Sequence, residues 1–317
     1  MTRTRARWSV AAAGMVLASG LAVGAQPARE QAPLFRSVVD IVTIDAFAHD
    51  DRQPIAGLTA ADFIVRDNGV EQRVDSIGTT DSAHVIVGLD LSGSVDGGTL
   101  ERLRGGVRTV VEQLTPGDRL SLFTFANRIR VLARAERPGP ALELALDQMK
   151  AAGSTTLHDA IVVGGMLGRA DERPAVFLLF TDGEDTASWT TVSRALDVLR
   201  HTDVVVFPVG AGLPGGLMTQ ANTLYFRHPT YVAPTTGDTL RLLQQAADVT
   251  GGEFLRVGRD ARLADTFASI LAQYRQRYLL SFTPTGVGGD GWHRLEVRLR
   301  NRPGTVVARE GYMARPQ

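Results

Sequence analysis

One carboxylate and two hydroxyls lie at alternate positions in residues 90–94, Asp-Leu-Ser-Gly-Ser, directly after the apolar run of residues 84–89. In a loop at the end of a strand, this spacing can turn Asp90, Ser92 and Ser94 toward one point, and the intervening glycine allows the tight bend. Such oxygen donors suit a hard divalent cation. The motif is short enough to arise by chance, so its meaning depends on its structural context.

Two further loops carry oxygen donors beside predicted elements. Thr155 precedes a predicted helix, and Asp182 follows the apolar run of residues 176–180. In an open α/β sheet, ligands bind beyond the carboxyl ends of the strands where the strand order reverses. We therefore expect all three loops to converge on one crevice. Taken singly, the hydroxyls could instead cap helices, and Asp182 could be a turn residue before Gly183.

Buried strands alternating with amphipathic helices must position these loops. Near-continuous apolar runs of the kind found in parallel sheets occupy residues 84–89, 120–125, 176–180 and 204–207. Residues 100–114 and 263–274 repeat apolar side chains at helical spacing. The predicted fold class is α/β, a doubly wound Rossmann-like domain with a mostly parallel central sheet.

The two flanks of the α/β block follow a strand pattern. Residues 37–48 are rich in Val and Ile, the Asn68-Gly69 step predicts a hairpin, and residues 294–300 alternate charged and apolar side chains. Neither flank has enough strands to be stable alone, so we expect them to form one small β-sandwich.

The sequence thus divides into four predicted segments. The segments are a signal peptide (1–25), an N-terminal β-rich flank (26–82), the α/β domain (83–276) and C-terminal strands that pair with the N-terminal flank (277–317). Within the α/β domain, the Gly-, Pro- and Thr-rich residues 210–237 are too long for an ordinary connection and are predicted to be an inserted loop, either functional or mobile.

The first 25 residues indicate export. Three arginines precede an apolar stretch that ends in the small residues Gly24 and Ala25, which is typical of a cleavable secretory signal. A retained anchor helix is the alternative, although the apolar stretch is shorter than the roughly 20 residues that a membrane span needs. We expect a periplasmic or extracellular protein without a stable membrane span after cleavage.

Composition excludes several classes of chemistry. The 317 residues contain 34 basic and 34 acidic side chains and no cysteine. Zero cysteines exclude disulfides, thiolate zinc sites and cysteine nucleophiles. Loss of the signal arginines leaves a mildly acidic mature chain, and this balance argues against a nucleic-acid partner.

The three loops in this sheet context resemble the von Willebrand factor type A (VWA) domain over roughly residues 83–260. The metal-ion-dependent adhesion site (MIDAS) of that family takes Asp-x-Ser-x-Ser, a Thr and an Asp from these loops. The resemblance assigns the metal to five residues: Asp90, Ser92, Ser94, Thr155 and Asp182. Thr155 is preferred to Thr156 because Leu157 fixes the register of the family's Gly-Gly-Thr-x-Leu pattern. The flanks and residues 309–312 resemble the exported acidobacterial branch of type A-related proteins.

The resemblance implies a binding module without catalysis, whose partner is a protein. Three hydroxyls and two carboxylates suit Mg²⁺, with Mn²⁺ or Ca²⁺ as alternatives. An Asp or Glu carboxylate of the partner is expected to complete the metal's shell. A structural domain with a fold-stabilising metal is the second interpretation, and a metal-assisted hydrolase is the third.

Other motifs near the site have simpler interpretations. The sequence of residues 210–215 matches G-x-G-x-x-G, but Pro214 lies where a helix should open, so we expect no dinucleotide. His158 is expected to be an exposed first-turn residue and not a base acting on the serines. Acidic residues nearby are expected to be solvated near helix starts or to orient a ligand; these are Asp159, Glu184 and Asp185. Trp189 is expected to be a buried helix residue, with a position at the rim of the site as the alternative.

Overall fold

The structure is a computed structural model that describes residues 41–213, 236–258, 262–288 and 290–314. The predicted signal peptide and most of the predicted inserted loop lie outside these residues. None of the helices in the described ranges has the length and apolarity needed to span a bilayer.

The described chain forms fifteen strands, six α-helices and two short 3₁₀ helices, Ala60–Asp62 and Gly168–Ala170. The strands are β1 (Val42–Asp50), β2 (Gln53–Pro54), β3 (Phe63–Asp67), β4 (Val70–Gln72), β5 (Ser76–Thr79), β6 (His84–Asp90), β7 (Arg119–Phe125), β8 (Ile129–Glu136), β9 (Ala175–Thr181), β10 (Val204–Ala211), β11 (Leu255–Val257), β12 (Tyr278–Phe282), β13 (Gly291–Leu299), β14 (Thr305–Ala308) and β15 (Gly311–Ala314). The helices are α1 (Gly97–Gln113), α2 (Pro140–Asp147), α3 (Leu157–Leu167), α4 (Val192–Arg200), α5 (Thr236–Thr250) and α6 (Leu263–Tyr274).

A six-stranded sheet in the order β11-β10-β9-β6-β7-β8 forms the centre of the α/β block. All neighbouring pairs are parallel except β7 and β8, which are antiparallel. The four predicted apolar runs are the strands β6, β7, β9 and β10, which confirms the α/β class and the mostly parallel sheet. The edge strand β8 was not predicted.

Side chains of β6 alternate between two hydrophobic clusters because successive strand residues point to opposite faces. Val85 and Val87 pack with residues of α1, α2 and α6, whereas Ile86 packs with residues of α3, α4 and α5. A central strand covered on both faces is apolar along its interior, which explains the apolar run between the buried polar residues His84 and Asp90 that end β6.

Strands from the two ends of the chain pair with each other in two further sheets. β1 pairs with β12 and β14, and β3 pairs with β13. One hydrophobic cluster includes side chains from both sheets, among them Ile44 and Leu280 from the first and Val65 and Leu295 from the second. Strands of the two flanks therefore pair in common sheets and pack around one hydrophobic core.

The turn between β3 and β4 is the predicted hairpin. Asn68 has φ 47° and Gly69 has φ 86°, the left-handed pair that a type I′ turn requires. Because Asn and Gly adopt this conformation at low cost, the dipeptide sets the register of the hairpin.

Two buried arginines join the flanks to the α/β block. Arg277, whose side chain is 1% exposed, forms an ion pair with Asp45 of β1 and donates to the Gly251 carbonyl at 2.7 Å. Arg309 pairs with Asp203 and donates to the Thr202 carbonyl at 3.0 Å. Residues 202, 203 and 251 precede β10 and β11, so these contacts lie at the amino-terminal edge of the central sheet.

Gly164 of α3 packs directly on the central sheet, where a Cβ atom would lie 2.1 Å from the ring of Phe177. Gly164→Ala should lower the free energy of unfolding by about 1–3 kcal/mol through overpacking. Gly105→Ala is the matched control: a Cβ atom placed there would have nothing within 4 Å beyond its own helix backbone, so alanine should raise stability by about 0.5–1 kcal/mol. Urea unfolding measures both, and equal effects would contradict the close packing of α3.

Candidate metal site

Asp90 ends the central strand β6, and its side chain is fully buried. One carboxylate oxygen accepts the Ser92 backbone N–H at 2.9 Å, and the other accepts the Thr181 hydroxyl at 2.7 Å. The order of the strands along the chain reverses between β6 and β9, and Thr181 ends β9. Asp90 therefore lies at the switch point of the sheet, where α/β proteins bind ligands.

Backbone hydrogen bonds join the three predicted loops. The Gly93 N–H donates to the Gly153 carbonyl at 2.8 Å, and the Ala152 N–H donates to the Leu91 carbonyl at 2.8 Å. The Thr186 N–H donates to the Thr155 carbonyl at 2.9 Å. These bonds hold the loops together independently of the predicted ligand side chains.

The five predicted ligands meet at this junction. Ser92 Oγ lies 3.0 Å from Ser94 Oγ, which in turn donates to Asp182 Oδ1 at 2.8 Å. A Cβ atom placed on Gly183 would lie 3.7 Å from both Ser94 Oγ and Thr155 Oγ1, so Thr155 faces the same space. Ser94 is exposed, whereas Asp90, Ser92 and Thr155 are buried. The arrangement is a crevice with oxygen donors and an open side.

The two neighbouring threonines have different surroundings. Thr156 Oγ1 donates to the Ala126 carbonyl at 2.9 Å, whereas Thr155 Oγ1 has no hydrogen-bond partner among the described residues. The geometry therefore makes Thr155 the available donor, in agreement with the register chosen from the sequence.

The chemistry of the donor set fits a hard cation. Burial raises the pKa of Asp90 to about 6, against hydrogen bonds from Thr181 and Ser92 that lower it. Within the described ranges, no Arg or Lys forms an ion pair with Asp90. A cation would supply the positive charge that this carboxylate lacks. The same ranges contain no group of three or more His, Cys, Asp and Glu placed to hold a metal, so any site here depends on hydroxyl ligands.

Residues next to the ligands shape the loop between β9 and α4. His158, half-buried in the first turn of α3, lies with Nδ1 2.9 Å from the Thr190 carbonyl. Asp159 accepts the N–H groups of Trp189 and Thr190 at 3.0 and 2.9 Å. Asp185 is buried and accepts the Ser188 hydroxyl. His158 is thus less exposed than expected. The Asp159 carboxylate accepts hydrogen bonds from backbone N–H groups, and the Asp185 carboxylate accepts one from a side-chain hydroxyl.

The expectation that Trp189 is a buried helix residue is wrong. Its side chain is 97% exposed, and it precedes α4, which begins at Val192. Hydrogen bonds from the backbone N–H groups of residues 189 and 190 to Asp159 hold this segment in a loop before α4.

Three supporting residues were not predicted. Thr181 holds the Asp90 carboxylate, Thr186 Oγ1 accepts the Thr155 N–H at 2.8 Å, and Asn127 Oδ1 accepts the Ser154 N–H at 2.5 Å. Thr181 and Asn127 follow apolar runs, which was a usable signal for residues at the carboxyl edge of the sheet. Thr186 carries no signal, because its role depends on a loop distant in sequence.

The fold and these loops define an α/β domain with clustered oxygen donors at the switch point of its sheet. The family model of the von Willebrand factor type A domain matches residues 84–225. Among solved structures, a von Willebrand factor type A protein from Catenulispora acidiphila is similar, with a TM-score of 0.50 and 14% identity over 80% of this chain and 75% of that one. Residues 84–225 therefore match the von Willebrand factor type A domain in sequence, and the similar solved structure has the same fold.

Curated relatives match parts of the chain. An uncharacterized protein from Synechocystis sp. is 33% identical over 102 residues, which cover 31% of this chain and 24% of the relative. A UPF0353 protein from Mycobacterium marinum is 26% identical over 202 residues, which cover 58% of this chain and 55% of the relative. The chain thus spans only a part of the length of both relatives.

The raised pKa of Asp90 predicts a pH dependence for cation binding. A metal binds the carboxylate and not the carboxylic acid, so protons compete with the metal below about pH 6. The apparent Mg²⁺ affinity should therefore be nearly constant above about pH 7 and fall by up to about tenfold per pH unit below the pKa. Isothermal titration across this range measures it. An affinity that stays level through pH 6 would contradict direct ligation by an Asp90 carboxylate whose pKa is raised to about 6.

Proposed function

We propose that this protein is an exported binding module that recruits a protein partner through a divalent cation. The ligands are the five residues of the crevice: Asp90, Ser92, Ser94, Thr155 and Asp182. The observation that carries the proposal is their convergence from three separate loops at the switch point of the sheet. Helix capping or turn formation would explain each residue alone, but neither requires them to meet.

The hydroxyl ligands give the proposed site its function. Serine and threonine hydroxyls are neutral, so Asp90 and Asp182 are the only charged groups among the five proposed ligands. Mg²⁺, or Mn²⁺ or Ca²⁺ in its place, would supply a coordination position for an Asp or Glu carboxylate of the partner. Ser94 is exposed and Asp182 is half-buried, so the crevice is accessible from solvent.

Binding without catalysis is the favoured activity. Hydrolysis would need a general base at Ser92 or Ser94, and no hydrogen bond in the described chain joins a histidine to either hydroxyl. The proposed partner is a protein and not a nucleic acid or a dinucleotide, since Gly210 of the 210–215 motif lies inside β10 and not in a loop after the strand.

The proposal extends to the architecture. The two hydrophobic clusters on opposite faces of the sheet support a doubly wound domain over residues 83–276. The shared core and paired strands of the flanks support a small β-sandwich built from residues 26–82 and 277–317. Export rests on the sequence of residues 1–25 alone.

Metal-dependent melting tests the ligand assignment. Mg²⁺, Mn²⁺ or Ca²⁺ should raise the melting temperature of the protein, because a ligand of the native state stabilises by about 2.7 kcal/mol at a hundredfold excess over Kd. Thr155→Val should reduce this shift strongly, whereas its neighbour Thr156→Val should keep it. Loss of the Thr156 hydrogen bond lowers the melting temperature both with and without metal. The metal-induced shifts of the two variants are therefore compared, and not their melting temperatures.

Asp90→Ala provides a second test of the same site and should also abolish the shift. Glu112→Ala, which removes an exposed carboxylate of α1, should leave the shift unchanged. The assignment fails if no ion changes the melting temperature, or if the two threonine variants respond alike.

Chelator-dependent capture separates a binding module from a domain with a structural metal. The mature protein, immobilised, should retain a partner from the periplasmic or secreted fraction with Mg²⁺ and release it with EDTA. Changing the partner's contact Asp or Glu to Asn or Gln should abolish retention, because an amide is a weaker ligand for a hard cation. Retention that survives EDTA would favour the structural interpretation.

A further inference from the structure

Trp189 combines an exposed side chain with a firmly held backbone. The side chain is 97% exposed, so its burial contributes nothing to folding. The adjoining N–H groups of residues 189 and 190 are both held by Asp159, at 3.0 and 2.9 Å. Single exposed apolar residues are common on protein surfaces and need no explanation by themselves. Here the backbone beside the indole is also held by a carboxylate.

The surrounding loop is fixed from several sides. The Asp159 N–H donates to Ser188 Oγ at 3.2 Å, and the Ser188 hydroxyl in turn donates to the buried Asp185. His158 Nδ1 contacts the Thr190 carbonyl. These bonds join the loop to the first turn of α3, so little conformational entropy remains to be lost when a partner binds.

The position of Trp189 relates it to the crevice. Asp159 lies one helical turn after Thr155, and Thr186 is bonded to Thr155 through both its N–H and its hydroxyl. Two residues lie between Thr186 and Trp189, so their Cα atoms are at most about 11 Å apart. Trp189 therefore lies at the same carboxyl edge of the sheet as the proposed metal ligands.

We infer that Trp189 is a second contact point for the protein partner, beside the carboxylate contact at the cation. This inference rests on the proposed function. The partner surface it fits carries an Asp or Glu and, beside it, an apolar cluster that covers the indole. Tryptophan is enriched among the residues that dominate binding energy, because it buries a large rigid surface.

Short disulfide-closed peptides, randomised around a fixed Asp, are the probe. Peptides selected on the Mg²⁺-loaded protein and released by EDTA should be enriched in apolar or aromatic residues at a fixed separation from the Asp. Trp189→Ala should weaken their binding by about tenfold or more, while the Mg²⁺ affinity and melting temperature stay unchanged. Trp189→Phe should retain part of the binding.

Leu144→Ala is the matched control, because Leu144 of α2 is also exposed, at 64%, but lies outside the three loops. It should leave peptide binding unchanged. Equal peptide affinity for Trp189→Ala and the unmodified protein would overturn the inference while leaving the metal site intact. Failure to bind Mg²⁺, or selected peptides that ignore EDTA, would instead count against the proposed function.

Discussion

The buried carboxylate of Asp90 is the constraint around which this end of the domain is arranged. A fully buried acid with no cationic partner in the described chain is costly in its charged form, which is why burial raises its pKa to about 6. The hydrogen bonds from Thr181 and the Ser92 backbone offset part of that cost. A divalent cation would offset the rest, so the proposed function would also relieve an electrostatic penalty that the fold imposes.

The parallel sheet makes this arrangement possible. β6 and β9 are neighbours in space although a long stretch of chain separates them, and both end at the same edge. The reversal of strand order leaves a gap between the helices that follow the two strands, and the loops fill it. Backbone bonds such as Gly93 to Gly153 then hold the donors in place without using their side chains. Rigid elements thus position a site built from loops.

The flanks are attached away from the site. Arg277 and Arg309 are buried and contact residues that precede β10 and β11, at the amino-terminal edge of the sheet. Removing Arg277 would leave the largely buried Asp45 carboxylate without its partner, at a cost of about 3–5 kcal/mol, whereas Asp203, the partner of Arg309, is exposed. With the flanks held at one edge, the described elements leave the carboxyl edge, with Ser94 and Trp189, exposed to solvent.

Local patterns in the sequence determined the buried strands, the helix faces, the Asn68-Gly69 hairpin and the identity of the candidate donors. Each of these depends on residue type and near-neighbour spacing, through strand and helix periodicity or backbone preference. The edge strand β8 escaped prediction because its exposures do not alternate cleanly, and Trp189 was misassigned because apolar type alone suggests burial. Only the tertiary structure decided that Thr181 and Thr186 support the donors and that the indole is exposed, because those facts depend on contacts between residues far apart in the chain.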